Sequence, residues 1–171
     1  MRCLQICRRF SSRSLYNVDE RWMRVALSSA MVSSEQGNVP VGAALVNPNG
    51  ILICHNGNNN NGVTTHAEMR CIHQGSILNR DWRLTGYTLY CTLEPCMSCA
   101  AAIALSRVSR VVIATSNSIY GVSKEGNHWI DIARKQPWGA HIICIDRGVL
   151  QMESKSLMQA FFQRRRAFPT C

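Results

Sequence analysis

The 171-residue sequence contains no apolar run that approaches the roughly 20 residues a membrane-spanning helix requires. We therefore expect no membrane partner. Charged residues are also few, at 17%, whereas 46% of residues are hydrophobic. This balance excludes a disordered chain, and the length suits one domain with a substantial core.

Acidic residues are absent from the first 17 positions, which carry several arginines. An arginine- and serine-rich segment without acids is typical of an organellar transit peptide, but it also fits a frayed arm of a bacterial cytoplasmic protein. Both compartments stay open. We expect residues 1–17 to be a disordered basic arm outside the fold. The net charge of +9, with Arg164, Arg165 and Arg166 near the other end, suits a polyanionic partner.

The nine cysteines do not suggest a disulfide scaffold, because the number is odd and the chain is not small. Free thiols behave as small hydrophobes in apolar stretches. Four cysteines lie in such stretches: Cys54, Cys71, Cys91 and Cys144. This pattern indicates a reducing compartment.

Two short motifs carry the chemistry: His66-Ala67-Glu68 and Pro95-Cys96-Met97-Ser98-Cys99. Zinc prefers four tetrahedral nitrogen and sulfur ligands, and a catalytic site leaves one of the four positions open. His66, Cys96 and Cys99 would supply three ligands, and Glu68 would handle protons without being a ligand. A structural zinc ribbon would need a second Cys-x-x-Cys motif, which the sequence lacks. A thioredoxin-like redox pair would not require the upstream His-x-Glu, so we favour a catalytic Zn²⁺ site.

Hydrophobic periodicity and turn signals predict five strands that alternate with helices over residues 18–168. The predicted strands are Val41–Val46, Ile51–His55, Tyr87–Thr92, Val108–Thr115 and Ala140–Ile145. The predicted helices start near Asp19, His66, Cys96, Trp129 and Gln151, with Gly75 ending the second. This order predicts an α/β fold of three layers, α/β/α, around a mixed five-stranded sheet.

These motifs resemble the TadA-type tRNA adenosine deaminases of the cytidine-deaminase-like superfamily. The resemblance covers about residues 22–167. It rests on the zinc motifs and on five further segments: Arg21-Trp22-Met23-Arg24, Val39-Pro40-Val41-Gly42-Ala43, Leu89-Tyr90-Cys91-Thr92-Leu93-Glu94, Ser106-Arg107-Val108-Ser109-Arg110-Val111-Val112, and Phe161-Phe162-Gln163-Arg164-Arg165-Arg166.

The resemblance implies a homodimer with one Zn²⁺ per subunit that binds a tRNA anticodon stem-loop. It implies hydrolytic deamination of adenosine to inosine at the wobble position, with Glu68 as the catalytic residue. The implied substrate-binding residues are Val41, Asn56, Asn117, Arg164, Arg165 and Arg166. Two of these depart from the family's pattern. Asn56 matches the family's asparagine only with a one-residue gap, and Asn117 stands where an aspartate is common.

Two other functions fit parts of the pattern. A deaminase of a free base or nucleoside, such as guanine or cytosine, would share the zinc site but would generally lack the arginine-ended helix. A zinc-containing RNA-binding subunit without catalysis would not need Glu68. Activity on tRNA against activity on free guanine would discriminate them.

Overall fold

The structure, a computed structural model, describes residues 12–59, 61–62, 64–117 and 128–167, with side chains from residue 18. The elements in chain order are α1 (Ser12–Glu35), β1 (Gly42–Val46), β2 (Leu52–Gly57), α2 (Ala67–Asn79), β3 (Thr88–Leu93), α3 (Met97–Leu105), β4 (Arg110–Thr115), α4 (Trp129–Lys135), a short 3₁₀ helix (Pro137–Gly139), β5 (Cys144–Arg147) and α5 (Gln151–Ala167).

The five strands form one mixed sheet in the order β2-β1-β3-β4-β5. Strand β1 is antiparallel to both β2 and β3, whereas β3, β4 and β5 are parallel. The predicted mixed five-stranded sheet is confirmed. Because β1 is antiparallel to both of its neighbours, β2 and β3 run in the same direction. Their carboxyl ends therefore lie at the same edge of the sheet.

Alternation along the strands divides the core between the two faces of the sheet. In β1, Leu45 belongs to the cluster that includes Cys71 of α2 and Ile103 of α3. Its neighbour Ala44 belongs to the cluster that includes Met23 of α1, so α1 covers the opposite face. The predicted three-layer α/β/α arrangement is thus confirmed. Among the described helices, none has the length and apolarity needed to cross a bilayer.

The first helix differs from the prediction at its start. It begins at Ser12 instead of near Asp19, because no glycine or proline interrupts the chain between these positions. Asp19 consequently lies inside the helix and does not cap it. Its side chain is only 7% exposed and forms an ion pair with Arg110 of β4. Residues 1–11, the rest of the predicted arm, lie outside the described residues.

Two other predicted boundaries are wrong, one because of packing and one because of turns. Gly75 does not end α2; it lies inside the helix where a Cβ atom would stand 2.2 Å from Leu45 Cδ2. The glycine is needed for close contact with the sheet, and α2 ends at Asn79. The last strand begins at Cys144 instead of Ala140, because backbone hydrogen bonds from Gly139 to Gln136 and from Ile142 to Gly139 form turns there.

Candidate metal centre and active site

The three predicted metal ligands meet at the edge of the sheet where β2 and β3 end. His66 immediately precedes α2, and Cys96 immediately precedes α3, with Cys99 in the first turn of α3. The Nδ1 atom of His66 lies 3.5 Å from the Sγ atom of Cys96 and 3.5 Å from that of Cys99. All three ligand atoms lie within 4.8 Å of one another. Among the described residues, no other group of three or more histidine, cysteine or acidic side chains is close enough to hold a metal.

The chemistry of this donor set fits zinc. A hydrogen bond with Cys99 is the largest cause that lowers the pKa of the Cys96 thiol to about 4, and a bond with Ser98 also contributes. The same bond to Cys96 and burial raise the pKa of Cys99. Thiolate is the form that binds metal, and the helix N-terminus favours it. One nitrogen and two sulfur ligands leave one of the four tetrahedral positions open, as in catalytic zinc sites.

Glu68 lies beside this centre but outside the ligand cluster. It occupies the first turn of α2 and is only 3% exposed. Its Oε2 atom is buried and has no hydrogen-bond partner among the described residues. Burial is the main cause that raises the pKa of the Glu68 carboxyl to about 7, and the charge of Cys96 adds to it. A carboxyl with this pKa can both accept and donate a proton near neutral pH.

Glu94 supports the segment that leads to Cys96. In the sequence it stands out only as the end of the segment over residues 89–94. Its side chain is fully buried, and its carboxylate oxygens lie 3.3 Å from Arg147 Nη2 and 3.3 Å from His128 Nδ1. Arg147 also binds Asp131 of α4 at 2.6 Å. Through Glu94, the segment that leads to Cys96 is tied to α4 and β5. The partners come from distant parts of the chain, so no local spacing could have indicated them.

Two asparagines before α2 contact this helix at different points along its length. Asn56 donates a hydrogen bond from Nδ2 to Gln74 Oε1 at 2.9 Å, about two turns along α2 from His66. Asn58 instead lies at the start of α2, where its Oδ1 atom accepts a hydrogen bond from the Ala67 amide at 2.8 Å. The Asn58 amide donates to the Val41 carbonyl at 2.9 Å. Val41 is therefore near the start of α2, whereas Asn56 contacts α2 about two turns further along the helix.

A groove of about 750 Å³ lies between the end of β4 and helix α5. Its lining includes Leu93, Asn117, Lys155, Phe162, Arg165 and Arg166. Leu93 precedes Cys96 by three residues, so the groove adjoins the segment that carries the metal ligand. Arg164 is not among the lining residues; its Nη2 atom donates to Ser34 Oγ of α1 at 3.1 Å. Of the three predicted arginines, the groove therefore brings together two.

Comparisons with known proteins agree with this geometry. A family profile described as the cytidine and deoxycytidylate deaminase zinc-binding region matches residues 16–115. The tRNA-specific adenosine deaminase of Haemophilus influenzae is 35% identical over 151 residues, which cover 86% of this chain and 85% of the relative. That of Bacillus subtilis is 36% identical over 151 residues, which cover 86% and 91%.

A longer plant relative matches as well. The chloroplastic tRNA(adenine(34)) deaminase of Arabidopsis thaliana is 41% identical over 164 residues. The match covers 86% of this chain but only 12% of the plant protein. The shared part therefore corresponds to a small portion of that relative.

Solved structures also include a protein from work on tRNA:A34 deaminases to which this chain is similar. A structure from a study of A-to-I editing by tRNA:A34 deaminases has a TM-score of 0.71 and 33% identity, and the match covers 80% of this chain and 98% of that one. A guanine deaminase from Nitrosomonas europaea has a TM-score of 0.65 at 18% identity, covers 83% of both chains, and shows the shared fold alone. The zinc ligand cluster, the non-ligand Glu68 and these matches lead to one assignment. The chain belongs to the zinc-binding cytidine and deoxycytidylate deaminase family, among its tRNA-specific adenosine deaminases.

Proposed function

We propose that this protein deaminates adenosine to inosine at the wobble position of a tRNA anticodon. The observation that carries the proposal is the Oε2 atom of Glu68, which is buried beside three metal ligands and has no hydrogen-bond partner among the described residues. The basic groove adjoins this site through Leu93, three residues before the ligand Cys96. The names of the bacterial and plant relatives support the same reaction.

The residues divide the reaction between them. His66, Cys96 and Cys99 would hold a Zn²⁺ ion, which would supply the Lewis acidity that makes water a nucleophile near neutral pH. Glu68 accepts a proton from the attacking water and delivers it to the purine ring nitrogen, and the water oxygen bonds to C6 of adenine. Glu68 then moves the second water proton from that oxygen to the exocyclic nitrogen, the bond from C6 to this nitrogen breaks, and ammonia leaves. Burial of Glu68 keeps bulk water from these proton transfers.

The groove favours an RNA substrate over a free base. Lys155, Arg165 and Arg166 place three cations along one wall, and Phe162 is 43% exposed beside them. Cations bind phosphates, and an exposed aromatic ring can stack on an unpaired base. A free guanine or cytosine offers no phosphate to these cations. The guanine deaminase likeness is too remote to argue for the alternative.

The test is to incubate the zinc-loaded protein with an anticodon stem-loop that carries adenosine at position 34, and separately with free guanine, cytosine and adenosine. We expect inosine in the stem-loop and one ammonia per inosine. Ammonia release from a free base, without any inosine in the stem-loop, would establish the alternative function.

The arginines of α5 give a sharper prediction. Replacing Arg165 and Arg166 together with glutamine should raise KM for the stem-loop, because the groove loses two phosphate-binding cations. The slope of log binding constant against log salt should fall by about 1.4, at roughly 0.7 per contact with single-stranded RNA. Arg164→Gln is the matched control, since Arg164 is bonded to α1, and both quantities should stay at their wild-type values. If Arg164→Gln raised KM and lowered the salt slope as much per arginine as the double variant does, the placement of Arg165 and Arg166 in the groove and of Arg164 outside it would be contradicted.

We further propose that the chain forms a homodimer, as the resemblance implies. Helix α3 exposes Met97, which follows the ligand Cys96, and Leu105, its last residue, at 62% and 58%. Sedimentation should give about twice the 19.1 kDa chain mass, and Met97→Glu should halve that mass. The control is Met152→Glu, at an equally exposed methionine on α5. A wild-type monomer at micromolar concentration would contradict this proposal.

A further inference from the structure

A second basic surface lies on two loops that the proposed reaction does not use. Arg80, Trp82 and Arg83 are in the loop between α2 and β3, and Arg107 is in the loop between α3 and β4. The two loops are joined by a hydrogen bond from the Leu84 amide to the Ser106 carbonyl at 2.8 Å. We call these four residues the Trp82 surface.

The Trp82 surface combines an exposed aromatic ring with stacked guanidinium groups. Trp82 is 51% exposed. The guanidinium carbons of Arg83 and Arg107 lie 4.7 Å and 5.1 Å from the centre of its ring. Stacking fixes the plane of a guanidinium group and leaves its N–H edges available for a bidentate anion such as phosphate.

The charges of this surface are unbalanced. Asp81 is the acidic residue of the loop, and it binds Arg83 at 3.2 Å. Within the described part of the chain, the side chains of Arg80 and Arg107 have no hydrogen bond or ion pair to an acid, although the charge of Arg107 contributes, after Arg83, to lowering the pKa of Asp81. One carboxylate thus faces three guanidinium groups, and a polyanion is complementary to the excess positive charge.

Arg80 and Arg107 each lie at the C-terminal end of a helix, where a left-handed backbone is common. Arg80 and Arg107 have φ angles of 54° and 62°, in the left-handed region that favours glycine or asparagine. A cation near a helix C-terminus gains from the helix dipole, which accounts for a positive charge at these positions. The dipole does not account for the exposed ring of Trp82, over which the guanidinium groups of Arg83 and Arg107 lie. Aromatic rings with arginines are typical of nucleic-acid surfaces.

The Trp82 surface lies at the opposite end of the sheet from the metal centre. Its two loops lead into the first residues of β3 and β4, whereas Cys96 follows the other end of β3. The six residues of β3 separate the two sites by about 20 Å, at roughly 3.3 Å per residue. An RNA that reached both sites would have to extend well beyond the reacting loop.

We propose that the Trp82 surface binds the phosphate backbone of the tRNA outside its anticodon loop, in a contact remote from the metal centre. This inference rests on the proposed function, because it assigns a second contact to the same substrate. It implies that full-length tRNA binds more tightly than the isolated anticodon stem-loop. The difference in affinity comes from Arg80 and Arg107, with Trp82 holding the guanidinium group of Arg107.

The experiment compares full-length tRNA with the isolated stem-loop, both with adenosine at position 34. Dissociation constants are measured by fluorescence anisotropy across a range of salt concentrations. The protein is the full-length, zinc-loaded chain, either wild type or carrying Arg80→Gln with Arg107→Gln. A third protein, Trp82→Leu, removes the stacking ring while keeping the charges. The control is Arg24→Gln, which removes an exposed arginine from α1.

We expect the double substitution to weaken binding of full-length tRNA about 3- to 10-fold and to lower its salt slope by about 1.4 to 1.8, for two lost phosphate contacts. Trp82→Leu should have a smaller effect in the same direction, and Arg24→Gln should have none. Affinity for the stem-loop and its rate of inosine formation should not change. Failure of the wild type to form inosine in the stem-loop would instead refute the proposed function.

Two results would overturn the inference. One is an unchanged affinity of the double variant for full-length tRNA, and the other is an equal loss of affinity for both RNAs. If the affinity is unchanged and the sedimentation mass of the double variant changes, the Trp82 surface is a contact between protein chains. Circular dichroism melting of each variant separates these results from a loss of folding, and Arg80→Gln alone repeats the test with one exposed substitution.

Discussion

Glu68→Gln should reduce turnover of an adenosine-34 stem-loop by about 10²- to 10⁴-fold while zinc content stays near one per chain. The side chain keeps its shape in this variant but can no longer accept a proton from water. Glu68 lies outside the ligand cluster formed by His66, Cys96 and Cys99, so the metal should remain. The measurements are single-turnover inosine formation and metal content by atomic emission.

Two comparisons make this result specific. Glu153→Gln changes an exposed carboxylate in the first turn of α5 and should leave both quantities at wild-type values. Cys96→Ala removes a ligand and should lose the metal together with activity. Loss of zinc from Glu68→Gln would mean that Glu68 is a ligand, and the proton-transfer role would then be wrong.

The metal centre could be predicted from sequence because its residues are local in the chain. Two cysteines separated by two residues fit one helical turn, and His66 with Glu68 fits the start of another. Helix starts and motif spacing are readable in a single sequence. The zinc cofactor and the three-layer fold were predicted for this reason, and both are confirmed.

The residues around the centre could not be placed in the same way. Whether Asn56 or Asn58 reaches the start of α2 depends on where β2 ends and on which face each side chain takes. Likewise, Arg164 and Arg165 are neighbours in sequence, but a helix turns them about 100° apart. Arg164 contacts α1 while Arg165 lines the groove. Their substrate-binding roles remain predictions.

A buried ion pair was invisible in the sequence for a similar reason. Asp19 reads as a helix cap because acids are common there. In the structure its carboxylate accepts hydrogen bonds from Tyr90 Oη at 2.9 Å and from two nitrogens of Arg110 at 2.8 Å and 2.7 Å. Arg110 also binds Asp146 of β5 at 2.8 Å. The contact joins α1 to three strands that are distant in sequence.

Asp19→Ala should therefore lower the free energy of unfolding by about 2 to 4 kcal/mol. Removing one partner of a buried pair typically costs about 3 to 5 kcal/mol, because the other charge stays buried without compensation. Arg110 is 25% exposed and keeps Asp146, which reduces the expected loss. The Tyr90 hydroxyl also loses its acceptor, and an unsatisfied buried hydroxyl adds to the cost. Urea unfolding of the wild type and the variant measures the difference.

The neighbouring residue provides the control for this prediction. Glu20 pairs with Arg24 at 3.8 Å, but both side chains are largely exposed, at 45% and 61%. An exposed pair of this kind contributes about 0 to 1 kcal/mol, so Glu20→Ala should change stability little. If the loss comes from an uncompensated Arg110, replacing Arg110 with methionine in the Asp19→Ala background should recover part of it. Suppose instead that Asp19→Ala alone unfolds with a free energy within about 0.5 kcal/mol of the wild type. In that case α1, β3, β4 and β5 are held together by apolar packing, without help from this ion pair.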